Sequence, residues 1–137
     1  MNISSKCEYG TRAILELARH VNDSQPVAAV QIATAQGIPE KYLVHILLQL
    51  KHAGLVQSVR GAHGGYHIAK SADQISLRDI VLAIDGPSLD PLPVKDDVAP
   101  ELKSVWRQAG SAIDDVLAAT SIRDIMDQDA DTNMYYI

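Results

Sequence analysis

The segment Ser58–Ala69, SVRGAHGGYHIA, concentrates groups that can contact an anion between two short apolar runs. Arg60 supplies a permanent cation, and His63 and His67 add hydrogen-bond donors. Its three glycines let the backbone approach a phosphate without a Cβ clash. A narrow DNA minor groove attracts arginine. The segment therefore predicts a cationic loop tip that contacts nucleic acid.

The same residues also allow a catalytic interpretation. In that interpretation Gly61–Gly65 cradle a phosphate, and His63 or His67 acts as base or nucleophile. A phosphate cradle needs a strand before its glycines and a helix after them. Here a second strand is predicted after the glycines, and the sequence places no acidic partner for either histidine. We therefore predict that the chain is not an enzyme and has no catalytic residue.

The composition predicts one domain. The chain has 137 residues, and 47% of them are hydrophobic, which is enough to build a core. Its one cysteine, Cys7, excludes an internal disulfide and any multi-cysteine metal site. No apolar run approaches the roughly 18 residues of a membrane span. The first ten residues are polar and do not resemble a signal peptide. A cytoplasmic protein without a membrane partner is expected.

Charge is unevenly distributed along the chain. Residues 1–85 contain eight Lys or Arg and seven Asp or Glu, whereas residues 86–137 contain four and ten. All five histidines lie in the first part. The first part can therefore face a polyanion that the second part repels. The alternative is that the acidic residues only solubilise a C-terminal helix.

Three helices are predicted before the cationic segment. A capping box over Ser5–Glu8 opens the first helix, and a turn at residues 22–26 follows it. A short second helix fits Ala29–Gln36, with Gly37 as its stop. Pro39 suits the first turn of the third helix. The second and third helices together form a helix-turn-helix motif.

A hairpin and further helices complete the prediction. Strands at Leu55–Val59 and Tyr66–Ala69 make the motif winged. Ser76 caps a fourth helix, Pro100 opens a helix of about 18 residues, and Ser121 caps a last short helix. The fold class is mainly α with a small β-hairpin, a winged helix-turn-helix followed by a long dimerisation helix. The predicted parts are the winged domain at 1–86, a loop at 87–99, dimerisation helices at 100–128 and a tail at 129–137.

The third helix has the pattern of a DNA-recognition helix. An apolar stripe runs from Leu43 to Leu50 at helical spacing. Lys41 and His45 lie off this stripe, one turn apart, where they can reach base edges or phosphates in a major groove. Together with the hairpin, the predicted DNA-binding residues are Pro39, Lys41, Tyr42, His45, Arg60, Gly61, His63, Gly64, Gly65 and Tyr66.

The long helix carries a second apolar stripe. Some of this stripe could pack on the small head of the same chain, but the helix is about as long as the head is wide, so part of the stripe is expected to remain for a partner. A two-fold partner can cover it with the same stripe of a second chain. Asp114 and Asp115 are then expected on the outer face, away from DNA. The predicted dimerisation residues are Leu102, Val105, Trp106, Ala109, Ile113, Val116 and Leu117.

Several motifs together are specific to a known group of proteins. They are EYGTRA at 8–13, IPEKYL at 38–43, LKHAGLV at 50–56, SVRG at 58–61, GGY at 64–66 and ISLRDI at 75–80. With these motifs the chain resembles the Rrf-two family of bacterial winged-helix transcription regulators over about residues 1–128. The resemblance implies a repressor that binds a palindromic DNA operator as a homodimer. It further implies that positions 41, 44 and 45 face the major groove and that Arg60 enters the minor groove.

The sequence departs from this family in two places. Val44 stands where members often have glutamate, and His45 stands where they often have glutamine or lysine. The operator sequences of the family therefore do not carry over to this chain. Cluster-binding members place three cysteines in the 87–99 segment, where this chain has none. Because thiolates hold such clusters, we predict no iron–sulfur cluster and no other cofactor. Cys7 is expected to be a small buried residue, with redox sensing by pairing between chains as the alternative.

A second function remains open at this point. The acidic second half and the apolar Val44 also suit a winged-helix module that binds only protein and no operator. For a regulator, the effector would be a small molecule or a protein whose identity the sequence does not give.

Overall fold

The computed structural model describes residues 3–87 and 99–135, with side chains described up to residue 130. Its elements follow the predicted order, and a 3₁₀ turn at Ala72–Gln74 is added before the fourth helix. The elements are α1 (Ser5–Arg19), α2 (Ala29–Gln36), α3 (Glu40–His52), β1 (Val56–Val59), β2 (Gly65–Ile68), α4 (Leu77–Ile84), α5 (Pro100–Ala119) and α6 (Ile122–Tyr135). The predicted loop at 87–99 lies outside the described residues except at its two ends.

The first helix begins one residue earlier than predicted. Ser4, and not Ser5, is its N-cap, because the Ser4 hydroxyl accepts a hydrogen bond from the Cys7 amide at 3.0 Å. Ser4 Oγ also donates to Asp85 Oδ1 at 2.5 Å, which ties the start of α1 to the end of α4. Glu8 pairs instead with Arg12 at 3.2 Å. A tertiary partner at Asp85 therefore replaces the predicted local capping box.

The helix-turn-helix forms as predicted. Gly37 ends α2 in the left-handed conformation with φ 63°, which glycine adopts without strain. The following Ile38 is buried, and Pro39 caps α3. The stripe from Leu43 to Leu50 is fully buried against α1, α2 and α4. This packing leaves the opposite face of α3 in solvent.

The two strands of the hairpin differ slightly from the prediction: β1 begins one residue later and ends at Val59 as predicted, whereas β2 lies one residue earlier. Val56 pairs with Ile68 and Val59 with Gly65 in an antiparallel register. A further bridge joins β2 to the segment before α2, which the sequence did not indicate. The Val27 amide donates to the Tyr66 carbonyl at 3.0 Å, and the Tyr66 amide donates back at 2.8 Å. The hairpin is therefore anchored on both sides of β2.

Replacing Gly65 with valine is expected to unfold the hairpin locally. A Cβ at this position would overlap the Val27 carbonyl oxygen, which is backbone and cannot rotate away. Overpacking of this kind costs about 1–3 kcal/mol. Thermal unfolding and hydrogen exchange of the Tyr66 amide measure the loss. Ala62→Val at the exposed tip is the control, and equal stability of the two variants would contradict the predicted clash.

The two last helices attach to the head, which consists of α1 to α4 and the hairpin. Ser121 and Asp124 cap α6 reciprocally as predicted, and Ile122 is fully buried in the core of the head. The prediction of a tail at residues 129–137 was wrong in part, because α6 continues to Tyr135. Residues after 128 lack an apolar stripe, but an existing helix extends without a new nucleation step. No helix in the described ranges combines the length and apolarity needed to cross a membrane.

Candidate nucleic-acid interface

The exposed face of α3 and the inner side of the hairpin form one groove of about 320 Å³. Because α3 buries its apolar stripe, Lys41 and His45 project into this groove from the opposite face. Val44 is 61% exposed there despite its apolar side chain. The groove is lined by Lys41, Val44, His45, Leu48, Lys51, Ser58 and Tyr66. An α-helix with this face fits the width of a DNA major groove.

Two predicted contact residues lie at the border of the groove. Pro39 is exposed at the N-terminal end of α3 as its N-cap. Tyr42 is 42% exposed, and Lys41 Nζ lies 5.0 Å from the centroid of its ring. Tyr42 can therefore hold the lysine ammonium in place by a cation–π contact.

Arg60 does not line the α3 groove. It is exposed and lines a second groove of about 790 Å³ together with Lys51 and Lys70. Lys51 and Ser58 line both grooves, so the two grooves adjoin each other. Lys51 and Lys70 are absent from the predicted DNA-binding residues. Lys51 lies in the last turn of α3 and Lys70 follows the end of β2, and these cations next to the predicted motif were the signal that could have indicated them.

The glycines of the tip differ in their surroundings. A Cβ on Gly64 would overlap the Val59 carbonyl, and one on Gly65 would overlap that of Val27, so the hairpin itself requires these two glycines. Gly61 has φ 117° with open space around it. Close approach of a phosphate to the backbone at all three glycines stays a prediction. His63 is exposed, whereas His67 is half-buried.

The predicted stripe on α5 is exposed with one exception. Leu102, Val105, Trp106, Ile113 and Val116 are 36% to 63% exposed, and Ala109 between them is exposed too. Leu117 differs because it is only 8% exposed and belongs to the core of the head. An adjacent face of α5, which includes Gly110, Asp114 and Leu117, contacts the head. The apolar stripe and the head-contacting face are therefore separate.

One acidic residue of α5 does not lie where it was expected. Asp114 faces the head, where Arg78 Nε donates to its Oδ1 at 2.8 Å. Asp114 follows Gly110 by one helical turn and precedes Leu117 by about one turn. The helix period therefore places it on the face that contacts the head. Asp115 is exposed, as expected for the outer face.

Comparison with known proteins identifies the family. Residues 3–128 match the family described as "Rrf2: Iron-dependent Transcriptional regulator". The chain belongs to the Rrf2 family. It is 34% identical to the HTH-type transcriptional regulator CymR of Bacillus subtilis over all of both chains. It is 33% identical to IscR of Vibrio parahaemolyticus, over 92% of this chain and 77% of that protein.

Solved structures of Rrf2 proteins share the fold. The structure of CymR, the global cysteine regulator of B. subtilis, matches with a TM-score of 0.82 at 34% identity, over 91% of this chain and 95% of that one. IscR of T. potens matches with a TM-score of 0.78, over 93% and 88% of the two chains. The winged helix and the family together make this chain a DNA-binding transcription regulator.

The single cysteine of this Rrf2 chain does not fit an iron–sulfur cluster. Iron–sulfur clusters are held mainly by thiolates, and the sequence has one cysteine. Burial, followed by the charges of Asp85 and Glu8, raises the pKa of Cys7 to about 11, so this thiol is a poor ligand. Among the side chains described, those of residues 3–87 and 99–130, no three His, Cys, Asp or Glu side chains are grouped to hold a metal ion.

Purified protein is therefore expected to stay colourless after anaerobic incubation with iron and sulfide. A single buried thiol cannot supply the ligands of a stable cluster. Visible absorbance and iron analysis after desalting are the measurements, with a cluster-binding Rrf2 protein treated in parallel as the positive control. A stoichiometric cluster on this chain would contradict the prediction.

Proposed function

We propose that the protein represses transcription by binding a palindromic DNA operator as a homodimer, without an iron–sulfur cluster. In this proposal α3 enters the major groove and Arg60 reaches the adjacent minor groove. The observation that carries it is the exposed face of α3, which points away from its own core beside a cationic hairpin. Such a regulator acts in the cytoplasm and performs no catalysis.

The charge of this surface supports binding to a polyanion. Lys41, Lys51, Arg60 and Lys70 line the two grooves on either side of β1. The excess of acidic residues lies in the second part of the chain, residues 86–137. Cations on one surface with acids elsewhere orient a protein on DNA and accelerate its association.

The exposed stripe on α5 supports the homodimer. Six apolar side chains in one row at helical spacing form a patch that a soluble protein normally covers. A second copy covers it by two-fold symmetry and doubles the number of recognition helices. Two recognition helices about one DNA turn apart would match a palindromic site. Leu117 is left out of the proposed interface because it is buried in its own chain.

Selection of bound duplexes from a random-sequence pool tests the proposal. A regulator enriches one palindromic sequence, and fluorescence anisotropy on that sequence then gives the affinity. Phosphate contacts make the logarithm of affinity fall linearly with the logarithm of salt concentration. If no sequence is enriched, the result would favour the second candidate, a winged-helix module that binds only protein. The exposed apolar side chains of Val44 and Leu48 support that candidate.

Lys41→Ala and His45→Ala are each expected to weaken operator binding without unfolding the protein, because both side chains are exposed. A lost phosphate contact weakens all sequences equally and reduces the salt slope by about 1, whereas a lost base contact relaxes sequence preference. Anisotropy on the selected operator and on a scrambled duplex separates the two roles. Lys6→Ala, on α1 outside the groove, is the matched control. Unchanged affinity in both variants would contradict the assignment of α3 to the major groove.

A further inference from the structure

A cavity of about 270 Å³ lies between α4 of the head and α5. It is separate from both DNA-facing grooves, and it opens on the head-contacting face of α5 rather than on the exposed apolar stripe. Val81, Leu82 and Leu117 give it an apolar wall. Its volume lies just below the roughly 300–1,000 Å³ of sites for drug-sized ligands, so it suits a small metabolite.

Two opposite charges in contact line the same cavity. Arg78 Nε donates to Asp114 Oδ1 at 2.8 Å, and the two side chains are 43% and 39% exposed. The guanidinium has further N–H donors on its terminal nitrogens, and the carboxylate has a second oxygen. A pair this exposed contributes little to stability, so a ligand that supplies both charges can share or replace it at small cost.

One residue that lines the cavity does not favour a helix. Gly110 lies in the interior of the 20-residue α5 and lines the cavity. Glycine destabilises a helix interior relative to alanine. Because Gly110 lines the cavity, a larger side chain at this position is expected to extend into it. Glycine would then preserve the cavity at the expense of the helix.

We propose that this cavity binds a small α-amino acid with an apolar side chain. The ligand carboxylate contacts Arg78, its ammonium contacts Asp114, and its side chain packs on Val81 and Leu82. An α-amino acid carries both charges on one carbon, which matches two protein charges that touch each other. A ligand with only a negative charge would be repelled by Asp114, and a ligand with only a positive charge would be repelled by Arg78. The role of this cavity as an effector site between the head and α5 rests on the proposed operator binding. Binding of the amino acid itself does not depend on that proposal.

Calorimetry on the full chain tests the ligand class. Leucine, valine and methionine are titrated beside two analogues of leucine, 4-methylpentanoate without the ammonium and isoamylamine without the carboxylate. At least one of the three amino acids is expected to bind. Each leucine analogue, which lacks one of the two charged groups, is expected to bind at least about tenfold more weakly than leucine, because a charged hydrogen bond is lost. Absence of binding by all three amino acids, or equal binding by the analogues, overturns the proposal.

Two variants locate the site. Asp114→Asn removes the ammonium partner and is expected to weaken amino-acid binding by about tenfold or more, whereas Asp115→Asn on the exposed face leaves it unchanged. Gly110→Leu fills the cavity with a residue that favours the helix and is expected to abolish binding, with circular dichroism confirming the fold. Wild-type binding in both variants overturns the assignment. Operator affinity of the same preparations is measured separately, so amino-acid binding without operator binding refutes only the regulatory role.

Discussion

Replacing Val105 and Ile113 together with aspartate is expected to abolish the homodimer and with it operator binding. The two side chains are 55% and 36% exposed and lie in the apolar stripe of α5. In a two-fold interface each substitution occurs twice, so four carboxylates would be buried or brought close together. A monomer loses the gain from joining two half-sites, which is commonly about 10²- to 10⁴-fold. Light scattering measures the mass, and anisotropy on the selected operator measures the affinity.

The matched control places the same charges elsewhere on the helix. Ser104 and Ala118 are exposed and lie away from the stripe, so S104D with A118D is expected to remain dimeric and to bind the operator. Circular dichroism distinguishes a folded monomer from an unfolded chain, and either loses operator binding. If V105D/I113D stays a folded dimer, the interface lies elsewhere on the molecule.

The elements that the sequence predicted well obey local rules. The capping pairs Ser76 with Asp79 and Ser121 with Asp124 form within four residues of chain, so the sequence alone contains both partners. The left-handed conformation of Gly37 and the buried face of α3 likewise depend only on nearby sequence. The buried face of α3 follows from the helix period. These features explain why the winged helix-turn-helix and its exposed recognition face could be predicted.

The features that the sequence did not predict depend on distant partners. The cap of α1 at Ser4 uses Asp85, 81 residues away, and the hairpin pairs Tyr66 with Val27 through the backbone. Backbone pairing of one residue leaves no side-chain pattern. The structural need for glycine at position 65, set by the carbonyl of Val27, could therefore not be predicted from the sequence. Asp114 was expected on the outer face because the apolar stripe was assigned to a partner, and its ion pair with Arg78 on α4 could not be predicted from local sequence.

Arg60→Ala is expected to weaken operator binding by about 1–3 kcal/mol, the usual contribution of a specific DNA contact. Arg60 is exposed at the hairpin tip, where its side chain packs little, so the free energy of unfolding should not change. A narrow minor groove concentrates negative potential and favours a guanidinium there. The loss should therefore be larger on an operator whose flanks carry A-tracts than on one with G·C-rich flanks. Anisotropy on both duplexes at several salt concentrations gives the comparison.

Two further variants separate the guanidinium from its charge. Arg60→Lys keeps the cation but loses the flat, weakly hydrated guanidinium, so it should recover phosphate binding and little of the preference for A-tract flanks. Arg107→Ala removes an exposed arginine from α5, away from the proposed DNA surface, and should bind like the wild type. Because the groove beside Arg60 also contains Lys51 and Lys70, a modest loss that is equal for both flanks would make Arg60 one of three phosphate contacts. Wild-type affinity of Arg60→Ala on both duplexes would remove the hairpin tip from the interface and leave α3 as the reading element.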